Sequence, residues 1–202
     1  MGHEPIYYRI LENPHLYRFC QQILGPGGEK DLRAEITRNL GQLPSAELLL
    51  DVGCGPNSWL WREGLHPVGV DISFSYSQAY KGRGEPAVTA SAGELPFAEG
   101  VFGAVWSIGM LHHLPDELAG MAVAEMTRVT APGGYCMIFD AVMPRSAWLK
   151  PLAWGIRRLD RGGFMRGQDR LQGLLPGNYW AVKRCSYSWW GLEGLFCLYQ
   201  KT

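Results

Sequence analysis

Two aspartates and a pair of neighbouring histidines stand out because each follows a short apolar run. Asp51 lies in Leu48-Leu49-Leu50-Asp51-Val52, directly before Gly53-Cys54-Gly55-Pro56-Asn57. Asp71 follows the run 67–70 and comes 18 residues after Gly53; His112 and His113 come after the run 104–107. Glycine has no Cβ, so the backbone at 53 and 55 can take positive φ and approach a ligand closely. Amides there, with the start of a following helix, suit an anionic group such as an amino-acid carboxylate. The same spacing also serves an ordinary strand-to-helix turn. A carboxylate at Asp71 can accept hydrogen bonds from both hydroxyls of a ribose, or cap a helix starting at residue 72. The glycine pair and the acid together imply an adenosine-containing ligand. A dinucleotide site prefers GxGxxG, and Ser58 stands where the last glycine would be, which counts against a nicotinamide cofactor. The histidines titrate near neutrality and can take a proton from an acceptor hydroxyl or amine. Their alternative role is structural, one capping the loop after the fourth strand and the other packing inward.

These residues need a scaffold that brings strand ends together. Short apolar runs at 48–52, 67–70, 87–90, 104–107 and 135–139 read as buried parallel strands. Helical segments fill the gaps at 57–63, 74–82 and 116–129. The last carries apolar residues near a 3.6 period, with Pro115 at its start and Pro132-Gly133 past its end. Strands alternating with helices predict an α/β fold: a doubly wound, mostly parallel seven-stranded sheet with helices on both faces. A further helix is expected at 146–160. Runs at 180–189 and 192–200, around Trp190-Gly191, predict an antiparallel C-terminal hairpin. Two helices at 14–24 and 28–41 are separated by Gly25-Pro26-Gly27-Gly28. In such sheets ligands bind outside the carboxyl ends of the strands, where the aspartates and histidines fall.

Composition narrows the class further. The chain has 202 residues, 47% of them hydrophobic, which suits one globular domain. Lys plus Arg and Asp plus Glu number 19 each, so the chain is neutral, and a nucleic-acid partner is not expected. The five cysteines are scattered without a CxxC pair, which reads as reduced thiols in a cytoplasmic protein, with no zinc site and no metal expected. The N-terminus shows no signal-peptide pattern and no apolar stretch is long enough to span a membrane.

Five ordered segments carry a family resemblance. Residues 48–55, LLLDVGCG, resemble the first motif of class I S-adenosylmethionine-dependent methyltransferases, and 69–73, GVDIS, resemble the second. GELPF at 93–97, with Phe102 and Val105, resembles the LPF segment and fourth strand. IGMLHHL at 108–114 resembles the LHHL segment, and EMTRVTAPGG at 125–134 the motif before the fifth strand. Over residues 46 to 140 the chain is similar to the type 11 group, which includes the ubiquinone and menaquinone methyltransferases. The resemblance implies S-adenosyl-L-methionine as cofactor, with Asp51, Gly53 and Gly55, and Cys54 between them, around its methionine part. It implies Asp71 on the ribose, Ile72 on the adenine face, Ser91 and Ala92 beside adenine, and Ser107 and Ile108 beside the sulfonium. Three positions depart from the family pattern: Asn57 for the third glycine, Ser91 for the acid that takes the adenine amino group, and Gly103 for the acid before the fourth strand.

The domain then spans 46–202, with residues 1–45 as an N-terminal helical lid bearing Tyr7, Tyr8 and Tyr17. A sulfonium methyl is already activated, so alignment of acceptor and methyl carbon supplies most of the catalysis, on the order of 7–11 kcal/mol. His112 and His113 are the base candidates. The acceptor is expected to be a small molecule, anionic or lipid- or sugar-linked. Residues 141–184 hold nine basic residues and two acids, interleaved with Trp148, Trp154, Phe164, Tyr179 and Trp180. That surface suits an anionic substrate, or peripheral contact with an anionic membrane through residues 145–170. Two other readings stay open: a nicotinamide-dependent reductase, and a non-catalytic partner or sensor of the same fold.

Overall fold

The structure is a computed structural model that describes residues 34, 37–38, 48–158, 163–177, 180–186 and 191–202. The strands are β1 (Leu49–Val52), β2 (Val68–Asp71), β3 (Ala87–Thr89), β4 (Phe102–Ile108), β5 (Thr130–Val142), β6 (Ala181–Ser186) and β7 (Glu193–Gln200). They form one sheet in the order β3-β2-β1-β4-β5-β7-β6. Strands β1 to β5 pair in parallel, while β7 runs antiparallel to both β5 and β6. The doubly wound sheet and its C-terminal hairpin are therefore as the sequence predicts. The chain crosses from β3 back to β4 beside β1, so the switch in strand order lies between β1 and β4. Ligands of such folds bind at that crevice.

Alternation along the strands assigns the two faces. Leu50, Val52, Val70, Val105, Cys136 and Ile138 pack with Ala119, Ala122, Val123, Met126 and Val129 of helix α2 (Asp116–Val129). The other face gathers Ala104, Trp106, Met137 and Phe139 with Leu60 of a 3-10 turn (Leu60–Glu63). Helix α1 (Phe74–Lys81) lies on that second face, because its Tyr80 packs over Gly69, the neighbour of Val70. Tyr80 also donates to the Pro67 carbonyl at 3.0 Å, so its burial leaves no orphan hydroxyl. Trp106 is fully buried, and truncating such a side chain costs about 3–5 kcal/mol.

Several boundaries differ from the sequence reading for local reasons. The helix expected over 57–63 is only the 3-10 turn Leu60–Glu63: Ser58 Oγ accepts from the Leu60 amide, and Gly64 ends the turn at φ 73°. The helix expected over 146–160 begins at Pro151, as α3 (Pro151–Arg158), since proline disfavours helical backbone in the residue before it. The motif before the fifth strand is split, 125–129 ending α2 and 130–134 already in β5. Thr130 already pairs with Phe102, and the register shifts before Tyr135. A short helix α4 (Gln168–Gln172), unmarked in the sequence pattern, sits between Gly167 and Gly173. Of the expected N-terminal helices only Ala34, Thr37 and Arg38 are described, and these are helical; the rest of the proposed lid, its tyrosines included, lies outside the described residues. The described cysteines, Cys54, Cys136, Cys185 and Cys197, are free thiols.

Candidate active site

The carboxyl ends of β1 and β2 hold two carboxylates in unlike settings. Asp51 is buried and accepts from Ser58 Oγ at 2.6 Å. Burial drives its pKa from the ordinary carboxylate range up to about 6, with the Ser58 hydrogen bond opposing the shift and the Asp71 charge adding to it. Asp71 accepts from the Gly55 amide on Oδ2 at 2.9 Å and from the Ser73 amide on Oδ1 at 2.8 Å. Burial raises its pKa too, and those two amides pull against the rise. Of the sequence alternatives for Asp71, the helix cap itself falls to Ser73. The Asp71 carboxylate braces the start of the helix turn, while Ser73 Oγ serves as the α1 cap, accepting from the Tyr76 amide. Each carboxylate oxygen keeps acceptor capacity beyond one amide.

The glycine turn is used differently from the sequence expectation. Gly53 and Cys54 amides both donate to the Val70 carbonyl, at 2.8 and 3.1 Å, and the Gly55 amide is taken by Asp71. None of the three is left to cradle an anion, and no α-helix N-terminus follows. What the glycines supply is space and backbone shape. Gly53 has φ 72°, and a Cβ on it would lie 2.7 Å from Met110 Cγ and Sδ. Gly55 has φ 59°, and nothing lies within 4 Å of where its Cβ would stand. Asn57 has no positive φ, so its departure from the family glycine leaves the turn unstrained. Cys54 is buried beneath the turn with its thiol donating to the Gly55 carbonyl at 3.3 Å.

The other expected cofactor positions surround this crevice. Ile72 projects outward at 75% exposure, beside Asp71. Ser91 folds its own turn, its hydroxyl accepting from the Gly93 amide at 3.2 Å, and Ala92 packs against the core. No acid stands at the Ser91 position. At the end of β4, Ser107 is buried, and its hydroxyl has no partner among the described residues; Ile108 packs against the second face of the sheet. Gly103 is buried within β4, against Gly134 of β5, away from these strand ends.

The histidines separate in role. His112 is largely buried, and its Nδ1 pairs with Asp140 Oδ1 near the end of β5. Asp140 is itself buried, accepting also from the His112 amide at 2.9 Å and the Ala141 amide at 2.7 Å. With Nδ1 engaged by the Asp140 side chain, Nε2 is the ring nitrogen on the other side of His112. His113 is exposed, its ring 4.2 Å from that of His112. The His112 ring lies 3.8 Å from where a Cβ on Gly109 would stand, just past Ser107 and Ile108. A continuous chain of neighbours therefore runs from Gly53 through Met110 and Gly109 to His112 and Asp140.

Asp140, Ser58 and Arg166 escaped the sequence reading. Ser58 marks a missing glycine in the sequence, and in the fold it is the partner of Asp51. Asp140 is signalled only by being a lone acid in a strand that should be apolar. Arg166 is buried and donates to the Leu111 and Leu114 carbonyls, at 2.7 and 2.5 Å, and to Asp116 at 2.7 Å. It thereby clamps both ends of the histidine loop. Two resembling motifs prove architectural in the same way: Glu125 accepts from the Leu95 amide, and Arg128 donates to the Leu95 and Phe97 carbonyls, pinning the LPF segment to α2.

A parallel α/β sheet of this order with an acid after β2 and an open glycine turn after β1 has the form of a class I S-adenosylmethionine-dependent methyltransferase. Residues 50–138 match the family model described as a methyltransferase domain, so this segment is similar to the type 11 group. It is 38% identical over 104 residues to an Arabidopsis thaliana tRNA (carboxymethyluridine(34)-5-O)-methyltransferase, covering 49% of this chain and 25% of that protein. It is 33% identical over 131 residues to a demethylmenaquinone methyltransferase of Mycolicibacterium vanbaalenii, covering 63% of this chain and 56% of that one. The chain thus spans about a quarter to somewhat over half of these relatives. A solved Pyrococcus horikoshii protein has the same fold, with TM-score 0.69 at 17% identity, over 98% of this chain and 100% of that chain. S-adenosylmethionine is the cofactor of the group, and the residues present fit it. Asp71 keeps lone pairs for ribose hydroxyls, the space over Gly55 is open, and among the described residues no cation acts on Asp51 or Asp71 to repel a sulfonium. Among the described residues no group of His, Cys, Asp or Glu is placed to hold a metal, and no helix is long and apolar enough to cross a membrane.

Proposed function

We propose that this protein transfers a methyl group from S-adenosylmethionine to a hydroxyl or amine of a small-molecule acceptor, in the cytoplasm, with His112 as general base. The observation that carries this reading is the buried Asp140–His112 pair beside the loop that follows β4. Asp51, Gly53, Cys54 and Gly55 would hold the methionine part of the cofactor. Asp71 would hold the ribose, Ile72 and the Ser91–Ala92 turn would flank adenine, and Ser107 and Ile108 would lie near the sulfur. When bound, the cofactor supplies a methyl already activated by the sulfonium.

The chain's own residues then do three things. Asp140 and the Arg166 clamp hold the His112 ring in one orientation and one tautomer. His112 Nε2 accepts the proton that the acceptor O–H or N–H loses as its new bond to carbon forms. Met110, over Gly53, and the apolar wall of Ile108 exclude water from the meeting point, which strengthens the local electrostatics. His113 is exposed and stacks beside the His112 ring, and is assigned no proton-transfer role.

The relative named for tRNA supports a competing acceptor, an RNA base substituent. The neutral chain speaks against it, because RNA binding draws on a basic excess. Incubation with S-adenosylmethionine and either hydroxylated aromatic small molecules or bulk tRNA separates the two. Formation of S-adenosylhomocysteine with a small molecule, abolished in His112→Ala, supports the proposal. Methyl incorporation into tRNA alone contradicts it.

A further inference from the structure

We infer that the loop after β5 and the outer side of α3 form a docking surface for an anionic lipid bilayer. Trp148 is 95% exposed, Leu149 84% and Leu152 53%. The turn that carries the first two is ordered: the Lys150 amide donates to the Ser146 carbonyl at 3.2 Å, and the Leu149 amide reaches Ser146 Oγ at 3.4 Å. Helix α3 is anchored by its other side, where Ala153 and Arg157 are buried and Arg157 Nη2 donates to the Glu193 carbonyl at 3.2 Å. Leu152 is thereby left outward-facing and exposed. Three large exposed apolar side chains thus fall within the five residues 148–152, which is not a surface that water favours.

Charge decides what covers it. Residues 141–158 include Arg145, Lys150, Arg157 and Arg158 and no acid. Lys150 pairs with Glu193 at 2.9 Å, so its charge is met inside the protein. Arg145 and Arg158 are both exposed, and neither has a carboxylate partner among the described residues. Arg145 reaches only the neutral Gln168 side chain, and Arg158 lies 4.9 Å over the Trp154 ring. A protruding tryptophan and two leucines between exposed arginines match the layered chemistry of a bilayer surface. The ring and leucines enter the headgroup boundary, and the guanidinium groups meet lipid phosphates. The surface itself stands independently of the methyl-transfer reading.

The test is co-sedimentation of the full chain with phosphatidylcholine vesicles, with and without phosphatidylglycerol. The expected result is partition onto the phosphatidylglycerol vesicles and little onto phosphatidylcholine alone. The Trp148→Ser/Leu149→Ser variant should partition about tenfold less or worse, through lost apolar burial. Arg145→Gln/Arg158→Gln should lose the preference for phosphatidylglycerol. A retained thermal shift with S-adenosylhomocysteine shows that each variant is folded, and fails separately if the cofactor reading is wrong. Absence of vesicle binding by the intact chain overturns the inference, as does unchanged binding by the serine variant. So does a dimer that the serine substitutions convert to monomer in a chain that never binds vesicles.

Discussion

The carboxyl ends of β1 and β2 and the carboxyl end of β5 are built on opposite electrostatic plans. At β1 and β2 the buried Asp51 and the partly buried Asp71 are met, among the described residues, by amides and a hydroxyl, and the Asp71 charge adds to the rise at Asp51. At β5 nearly every acid is answered by a cation or a histidine: Asp140 by His112, Asp116 by Arg166 and Arg170, Glu193 by Lys150 and Arg184. Burial pushes the Glu193 carboxyl up, and Arg184 and Lys150 outweigh it, leaving its pKa below the usual range. The first region keeps negative character for a cationic cofactor. The second places its charges in pairs that hold loops, the His112 loop among them. In the proposed reading, the cofactor would lie against the first region and the general base in the second.

Substitutions on the β5 side should have the largest effects on turnover and leave cofactor binding alone. His112→Ala is expected to lower turnover by about 10²–10⁴-fold, the range for losing a general base. Asp140→Asn should give a similar loss together with an altered pH–rate profile, while His113→Ala should stay near the parent rate. Equal losses from the two histidines would erase the distinction drawn between them. Arg166→Met leaves the Leu111 and Leu114 carbonyls without their donor, at about 1–3 kcal/mol for each buried group. A urea titration should therefore show roughly 3 kcal/mol lost, with S-adenosylhomocysteine affinity nearly unchanged.

On the β1 side the comparison sharpens as a pH effect. The folded pKa of Asp51, about 6, lies above its unfolded value of 3.8. Between those values the folded state binds the extra proton, so stability falls as pH rises through that window, by up to about 3 kcal/mol from this group. Asp51→Asn should remove that component, so its thermal midpoint should drop less than the parent's between pH 4 and pH 6 in cofactor-free protein. Identical pH slopes would mean that Asp51 is not the buried, uncompensated carboxylate described. The smallest effect is expected at Gly53→Ala. Positive φ and the contact with Met110, whose Cβ would lie 2.8 Å away, should make it less stable by about 1–3 kcal/mol.

Much of the β1–β2 region was legible because its constraints are local in sequence. A buried parallel strand must read as an apolar run, and a turn at positive φ wants glycine. The acceptor half was legible only as residue types. Asp140 matters through a residue 28 positions away and Arg166 through Asp116, 50 positions away, and no periodicity encodes such pairs. The basic segment 141–184 illustrates the same limit. Its local excess looked like a positive surface, yet Arg166, Arg170, Lys150 and Arg184 are answered by acids from α2 and β7. Only the fold shows which cations, Arg145 and Arg158, keep exposed charge without a carboxylate partner among the described residues. The helix read over 57–63 failed through Ser58, whose hydroxyl serves both Asp51 and the Leu60 amide and shortens the helix to a 3-10 turn.

The central claim, an S-adenosylmethionine site built on Asp71 and the open glycine turn, is tested most directly by thermal-shift titration with S-adenosylhomocysteine, with NAD in parallel. Ligand at 100 times its dissociation constant should stabilise the folded chain by about 2.7 kcal/mol, a shift of several degrees for a domain of this size. The account predicts that shift with S-adenosylhomocysteine, none with NAD, and its loss in Asp71→Ala. No shift at millimolar S-adenosylhomocysteine, or a shift that Asp71→Ala leaves intact, would contradict it.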